Sequence, residues 1–245
     1  MSQSRDGRVR MSVDVVIPVL NEQRALERGV AEVRACLAGH PEWDWTVVVV
    51  DNGSTDGTRA IGERLAGEHA DVRFLHLDEP GRGGALRRAW CESRAEICCY
   101  TDVDLSTDLG HLAEIVDAVR FDGCDIAIGS RLMPGARSKR SLKREAISRI
   151  YNVFVKLALG TRFSDAQCGF KAVSRRVITE VVPQVQDQSW FFDTELLARA
   201  EKQGFRIKEV PVHWIDDDDS RVEILKTAYD DIKGVLRVRR SLGAP

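Results

Sequence analysis

Short apolar runs recur along the first half of the chain and alternate with segments whose apolar residues have helical spacing, and this alternation constrains the fold most. Nearly continuous apolar runs of this length are typical of strands buried on both faces of a parallel sheet. Strict alternation of strands and helices implies right-handed βαβ units. We therefore predict an α/β fold, a mostly parallel sheet flanked by helices in a single domain. The predicted strands cover residues 13–19, 45–50, 72–77, 97–101, 125–130 and 206–214.

The charge and the apolar content of the chain limit the kinds of molecule and the cell compartment that we expect for it. The formal net charge is -2, which gives no electrostatic signal for nucleic acid. No apolar run approaches the ~20 residues that span a bilayer, and the polar, basic residues 1–11 lack the apolar core of a secretory signal. The cysteines form no C-x-x-C pair, which suits reduced thiols. We expect a cytoplasmic protein that is soluble or rests on a membrane surface.

Two carboxylates, Asp102 and Asp104, directly follow the predicted strand 97–101. Ligands of open α/β sheets bind beyond the carboxyl ends of the strands. Alternate residues of an extended segment point the same way, so we expect both carboxylates to converge on one cation. Mg²⁺ or Mn²⁺ is the expected ion because both prefer oxygen ligands. The alternative is a turn without a ligand, since Asp is common in turns.

Polar turns also follow the first two predicted strands, and a glycine-rich turn opens the helix after the third. Asp51 is a candidate acceptor for hydrogen bonds from a base edge, and Glu22 for hydrogen bonds from ribose hydroxyls. Free N–H groups at the helix start suit an anion such as a diphosphate, although plain turn chemistry explains the glycines equally well. The candidate ligand-binding residues of these turns are Pro18, Asn21, Glu22, Asp51, Asn52, Gly53, Arg82, Gly83 and Asp102.

Residues 17–22 and 50–58, together with the Asp102 and Asp104 pair, resemble the inverting family 2 glycosyltransferases of GT-A fold. The second half of the chain is similar to the polyprenyl-phosphate glycosyltransferases, above all to the dolichyl-phosphate glucose synthases, at 129–131, 165–171 and 190–197. The resemblance implies a GT-A fold and a metal held by the aspartate pair. It also implies that the candidate ligand-binding residues of the turns bind a nucleotide-sugar donor.

The resemblance also suggests how the chain is divided. We expect a disordered N-terminal tail, one GT-A domain with a nucleotide-sugar half and an acceptor half, and a C-terminal helix that is amphipathic and basic. The corresponding residues are 1–12 for the tail, 13–221 for the domain, with halves at 13–105 and 106–221, and 222–245 for the helix.

A basic segment follows the predicted strand at 125–130, with seven cations and a single acid between residues 131 and 149. A phosphate acceptor needs such cations, and arginine suits phosphate best. The resemblance selects Arg131, Arg144 and Ser148 as the acceptor-phosphate contacts. The alternative is a solvated charged loop, and Arg137, Lys139 and Arg140 suit anionic lipid headgroups or such a loop.

The predicted function is metal-dependent, inverting transfer of a hexose onto a polyprenyl or dolichyl phosphate at the cytosolic membrane face. The first choice of donor is UDP-glucose, and the other type is GDP-mannose. Membrane access would come from the basic C-terminal helix or from a membrane subunit. The expected catalytic residues are Asp102, Asp104, Arg131 and Asp193.

Two alternatives stay open. In the first, the acceptor is a soluble hydroxyl and Asp193 is the general base that a hydroxyl requires. Because Asp is also favoured at helix starts, Asp193 has a purely structural explanation as well. In the second, the chain is a non-catalytic module that binds nucleotide sugars.

Overall fold

The protein is described by a computed structural model for residues 10–139, 142–215 and 224–243. Nine strands lie in these ranges. They are β1 (Met11–Val19), β2 (Trp43–Asn52), β3 (Val72–Leu77), β4 (Ile97–Thr101), β5 (Ile126–Ser130), β6 (Arg137–Lys139), β7 (Phe170–Ser174), β8 (Ile207–Pro211) and β9 (His213–Ile215).

Eight α-helices lie in the same ranges and cover both faces of the sheet. They are α1 (Leu26–Ala38), α2 (Thr58–Glu68), α3 (Arg82–Glu92), α4 (Leu112–Arg120), α5 (Leu142–Leu159), α6 (Arg175–Glu180), α7 (Phe192–Lys202) and α8 (Ile224–Ser241).

Seven of the strands form one sheet in the order β3-β2-β1-β4-β7-β5-β8. All neighbouring strands are parallel except at β7, which runs antiparallel to both β4 and β5. The predicted α/β fold with a mostly parallel sheet is confirmed. Because β1, β2 and β4 are parallel neighbours, their carboxyl ends lie along one edge of the sheet, which is where such folds bind ligands.

Two apolar clusters fill the space on the two faces of the sheet. One contains side chains of α1, α2 and α4, and the other contains side chains of α3 and α5 to α8. Apolar residues therefore cover both faces of the central strands, which explains their nearly continuous apolar sequences.

The second half departs from the simple alternation. The antiparallel β7 was not predicted, and it lies between β4 and β5. The strand predicted at 206–214 is interrupted at Val212, and its second part, β9, pairs with β6 in a separate two-stranded sheet. β1 begins at Met11, inside the predicted tail, whereas residues 1–9 and the first residues of the predicted C-terminal helix, 222–223, lie outside the described ranges.

Candidate active site

Asp102 and Asp104 lie in a tight turn just beyond β4. The amide of Leu105 donates to the Asp102 carbonyl at 3.2 Å, and the amide of Ser106 donates to Asp104 Oδ1 at 2.9 Å. Leu105 has a φ of 55°, a left-handed conformation that ends the extended segment. The position at the strand end was predicted correctly, but the argument from alternation along a strand was wrong, because the pair is in a turn.

Arg82, at the start of α3, joins two acids that are far apart in sequence. Its Nη2 donates to Asp102 Oδ1 at 2.7 Å, and its Nη1 donates to Asp193 Oδ2 at 2.8 Å. The Asp102 side chain is 42% exposed, whereas that of Asp193 is 1% exposed. The structure therefore brings together three predicted site residues, with one acid open to solvent and the other closed off.

Tyr100 and Lys171 complete the surroundings of Asp193. The Tyr100 hydroxyl donates to Asp193 Oδ1 at 2.7 Å, and Lys171 Nζ lies 3.1 Å from the same oxygen and 3.0 Å from the hydroxyl. Burial, reinforced by the nearby Asp193 carboxylate, raises the pKa of Tyr100 well above its usual value. Tyr100 therefore remains a neutral donor at physiological pH.

The charge on Arg82 is held by its two acids. Burial opposes the charged guanidinium, yet the Asp102 and Asp193 carboxylates raise the pKa of Arg82 above its ordinary value. The guanidinium carbon also lies 5.0 Å from the Tyr100 ring centroid and 5.2 Å from that of Trp190. Such contacts restrict a planar cation to one orientation.

The turn after β2 is held by Asp51 and Asn52. Asp51 is fully buried, and its carboxylate accepts from the Ser54 amide at 3.0 Å and lies 2.8 Å from His76 Nδ1. The Asn52 amide group donates to the Val19 carbonyl at 2.7 Å and accepts from the Gly81 amide at 3.0 Å. Asn52 thus ties the ends of β1 and β2 to the start of α3, where Arg82 lies.

The turn after β1 is bonded to the turn after β2. Asn21, with a φ of 57°, accepts from the Thr55 amide at 2.8 Å, and its own amide donates to Ser54 Oγ at 2.8 Å. The amide of Glu22 donates to Thr58 Oγ1 at 2.8 Å. The candidate nucleotide residues therefore share one hydrogen-bonded edge. Of the remaining candidates, Pro18 and Gly83 are buried in β1 and α3, and Gly53 has a φ of 87° in the β2 turn.

Arg131 is held by a single acid. Its Nε and Nη2 each donate to Asp165 at 2.8 Å, and its backbone amide donates to the same carboxylate at 3.0 Å. Burial works against the charged carboxyl, but the Arg131 guanidinium lowers the pKa of Asp165 below its usual value. The Arg131 guanidinium carbon also lies 5.4 Å from the Trp214 ring centroid.

The other two predicted acceptor residues belong to α5. Ser148 is partly buried, and its carbonyl accepts from Asn152 Nδ2 at 2.9 Å. Asn152 Oδ1 in turn accepts from the Ala166 amide at 3.0 Å, so it fastens α5 to the 165–171 segment. The side chain of Arg144 lies outside the described residues. No helix in the described ranges is long and apolar enough to cross a membrane.

Two groups of side chains are candidates for a metal. The carboxylates of Asp102 and Asp104 offer hard oxygen donors beside a partly exposed strand end, which fits Mg²⁺ or Mn²⁺. The second group, Asp108, His111 and His213, has one ligand atom from each residue within 4.8 Å of the others. Its imidazoles suit transition metals, although His111 Nε2 already accepts from the His213 amide at 3.2 Å.

Several residues of the site were not singled out from the sequence as functional. Lys171 left a signal, because a lysine inside an apolar strand must find a buried partner. The sequence around Tyr100, His76 and Trp190 gives no such signal, since their partners are distant in sequence. The cluster of Asp108, His111 and His213 was equally hidden, because it joins two segments that meet only in the folded chain.

The fold and the Asp-x-Asp turn beyond β4 together define the class of GT-A glycosyltransferases. The chain belongs to glycosyl transferase family 2, because the model of that family matches residues 14–182, more than half of the chain.

Individual relatives show which members of the family this chain is similar to. The chain is 41% identical to glycosyltransferase AglD of Haloferax volcanii over 229 residues, 93% of this chain but 37% of that protein. It is 29% identical to dolichyl-phosphate beta-glucosyltransferase ALG5C of Trichomonas vaginalis, over 93% of this chain and 72% of the relative. Glucosyl-3-phosphoglycerate synthase of Mycobacterium tuberculosis, solved with UDP, superposes with a TM-score of 0.72 at 20% identity, covering 96% of this chain and 81% of that one. At that identity the superposition shows the shared fold.

Proposed function

We propose that this chain transfers a hexose from a nucleotide sugar to a polyprenyl phosphate, with UDP-glucose as the first choice of donor. The observation that carries the proposal is the Arg82–Asp102 contact beyond β4, beside the bonded turns of β1 and β2. The name of the relative ALG5C supports a dolichyl-phosphate acceptor and glucose. Residues 13–105 act on the donor, and residues 106–221 act on the acceptor.

The donor half supplies positive charge and a fixed geometry. Asp102 and Asp104 would hold Mg²⁺ or Mn²⁺, which neutralises charge that develops on a departing diphosphate. Arg82 supplies a further cation that the protein holds in place before the reaction, and such preorganised charge stabilises a transition state without reorganisation. Asp51 and Glu22 recognise the base and the ribose.

The acceptor half determines whether a base is needed. A phosphate monoester is already an oxyanion at neutral pH, whereas a hydroxyl must lose a proton. Asp193 is 1% exposed and its carboxylate faces Arg82, Lys171 and the Tyr100 hydroxyl, an arrangement that leaves little access for a substrate hydroxyl. This surrounding favours the phosphate acceptor, for which Arg131, Arg144 and Ser148 provide the contacts.

In this proposal the lipid tail of the acceptor contacts an apolar surface formed by α5 and α8. On α5 the exposed apolar residues follow each other at helical spacing, and more lie on α8, which contacts α5. Exposed apolar patches rimmed by cations mark membrane contacts, and Lys233, Arg239 and Arg240 are exposed on α8. We call this surface the apolar face; it consists of Ile147, Ile150, Val153, Phe154 and Leu157 on α5 and Tyr229, Ile232 and Leu236 on α8.

In this proposal the apolar face rests on the cytosolic surface of an anionic membrane. Ser148 and the five α5 residues of the apolar face belong to one helix, so the proposed phosphate contact and the proposed lipid contact lie on the same element. A membrane subunit that covers the same face is the other route to the lipid.

The transfer is tested with purified protein, radiolabelled UDP-glucose or GDP-mannose, Mn²⁺ and polyprenyl phosphate. We expect an organic-soluble labelled product from one donor, and a loss of about 100- to 1000-fold in the rate for Asp102→Asn. The absence of product with both donors would contradict the proposal. A wild-type rate in Asp102→Asn would contradict the role of the aspartate pair.

Membrane contact is tested by sedimentation with vesicles of phosphatidylglycerol and phosphatidylcholine. The double substitution Ile150→Glu and Leu157→Glu should abolish vesicle binding, because both residues lie on the apolar face. Phe121→Glu is the matched control, since Phe121 is 67% exposed at the end of α4, away from that face. Unchanged vesicle binding by the double variant would argue against the apolar face, and no binding by the wild type would favour a membrane subunit.

A further inference from the structure

Asp193 is an enclosed acid of the candidate site, with a side chain that is 1% exposed. Its Oδ1 faces the Tyr100 hydroxyl at 2.7 Å and Lys171 Nζ at 3.1 Å, and its Oδ2 accepts from Arg82 Nη1 at 2.8 Å. Lys171 is itself fully buried and also donates to the Cys168 carbonyl. Three donors from three separate elements therefore converge on one carboxylate, which is how a protein locks a charged group in place.

The two Nη atoms of Arg82 bind acids that differ in solvent exposure. Its Nη1 is bound to the enclosed Asp193, and its Nη2 is bound to Asp102, whose side chain is 42% exposed. Its Nε is buried, yet it has no hydrogen-bond partner among the described residues. The orientation of the guanidinium therefore depends on its two Nη contacts and on the rings of Tyr100 and Trp190.

We infer that Asp193 is a positioning residue that acts through Arg82. Together with Tyr100 and Lys171 it fixes the guanidinium, which then orients Asp102 and presents a cation to the donor diphosphate. The inference rests on the proposed function, because it needs a nucleotide diphosphate beside Asp102. It assigns Asp193 to the donor side of the reaction, although the residue belongs to α7 in the acceptor half.

This role differs from that of a general base in what it demands. A base needs an oxygen within reach of the substrate proton, and substituting it changes the rate of the chemical step and its pH dependence. A positioning residue that holds Arg82 affects donor binding even when no acceptor is present. It also has no effect of its own once Arg82 has been replaced.

The test is a double-mutant cycle with Asp193→Asn, Arg82→Lys and the double variant, measured as the dissociation constant for UDP with Mn²⁺ by calorimetry. We expect each single variant to weaken binding about tenfold, because lysine cannot bridge two acids and asparagine no longer holds the guanidinium by charge. The double variant should be no weaker than the weaker single variant. Effects that multiply, or unchanged binding in Asp193→Asn, would overturn the inference.

Two further variants separate positioning from general damage. Glu195→Gln removes a buried acid of the same helix that pairs with Arg199 and Arg237, so it should lower the melting temperature and leave UDP affinity unchanged. Tyr100→Phe removes one hydrogen bond to Asp193 and should weaken UDP binding in the same direction by a smaller factor. If Asp193→Asn does not fold, unchanged UDP affinity in Tyr100→Phe overturns the inference.

The transfer reaction provides the last readout. Asp193→Asn should raise the KM for the donor and leave the shape of the pH profile of kcat/KM unchanged, whereas loss of a base would remove one limb of that profile. Wild-type protein that binds UDP and Mn²⁺ but transfers no hexose would overturn the proposed function and leave the binding cycle decisive. Wild-type protein that binds neither would overturn both.

Discussion

Two largely buried arginines, Arg82 at the start of α3 and Arg131 directly after β5, bind their acidic partners differently. Arg131 forms a closed pair, in which two guanidinium nitrogens and the backbone amide all bind Asp165. Arg82 divides its guanidinium between Asp193, which is enclosed, and Asp102, which is partly exposed. A closed pair stabilises the fold, whereas a shared arginine with one solvent-facing partner is placed to orient that partner beside a ligand.

The comparison also qualifies the acceptor prediction. Arg131 was predicted to bind the acceptor phosphate, and in this structure its Nε and Nη2 are bound to Asp165. Among the described hydrogen bonds, the two N–H groups of Nη1 and the second N–H of Nη2 have no acceptor, so contact with a phosphate is confined to the edge between Nη1 and Nη2. Its nearness to the Trp214 ring fixes the direction of that edge.

The largest expected effect tests the closed pair. Asp165→Asn leaves the buried Arg131 guanidinium without its counter-charge, which costs about 3–5 kcal/mol of unfolding free energy. Asp102→Asn is the matched comparison and should cost less than about 1 kcal/mol, because its side chain is 42% exposed. Urea denaturation at constant m-value measures both. Equal losses in the two variants would remove the distinction between the two arginines.

A smaller effect is expected where Asp102 packs against Gly169. A Cβ at Gly169 would lie 1.8 Å from Asp102 Oδ2 and 2.9 Å from Arg82 Nη2, so Gly169→Ala must displace Asp102. We expect about tenfold weaker binding of UDP with Mn²⁺, measured by calorimetry, because the carboxylate no longer has its native orientation. Gly67→Ala is the control, since a Cβ there meets nothing within 4 Å. Native affinity in Gly169→Ala would show that the orientation of Asp102 is unimportant.

The smallest effect concerns a buried acid for which the structure shows polar rather than cationic hydrogen-bond partners. Asp231 accepts from Gln167 Nε2 at 3.0 Å, and burial raises its pKa to about 7. Since the folded protein binds this proton more tightly than the unfolded chain, the wild type should lose stability as the pH rises from about 4 to about 7. Asp231→Asn removes the buried charge and should gain about 1 kcal/mol at pH 8.

Melting temperatures at pH 5 and pH 8 measure this difference. The advantage of Asp231→Asn over the wild type should be present at pH 8 and disappear at pH 5, where the wild-type carboxyl is protonated in the folded protein. The same advantage at both pH values would mean that the carboxyl does not titrate in this range.

The central strands and the Asp102 turn were predictable because their signals are local. Residues 72–77 and 97–101 are apolar runs between turn residues, and the observed β3 and β4 have the same bounds. By contrast, residues 170–174 carry no local mark of an antiparallel strand. β7 lies between β4 and β5 because its residues pair with both strands in the folded sheet. That pairing joins segments that are distant in sequence, so no short stretch of sequence reveals it.

The contacts within the site follow the same division. Asp102 and Arg82 were each proposed as site residues from the turns in which they lie, but their contact, between residues 20 apart, was not predicted. The partner of Arg82 on α7, Asp193, is 111 residues away, and Asp165 is 34 residues from Arg131. Those pairs depend on strand order and on how helices pack across the sheet.

The sequence by itself therefore determined the parallel strands β1 to β5, the helices between them and the polar turns at the strand ends, because apolar periodicity and turn chemistry act over a few residues. Only the tertiary structure decided how those turns are used. It enclosed Asp193, left Asp102 partly exposed and joined the two through Arg82. The physical reason is that burial and charge pairing depend on which elements meet in space. Asp193 is therefore enclosed and bound to Arg82, whereas Asp102 remains partly exposed to solvent.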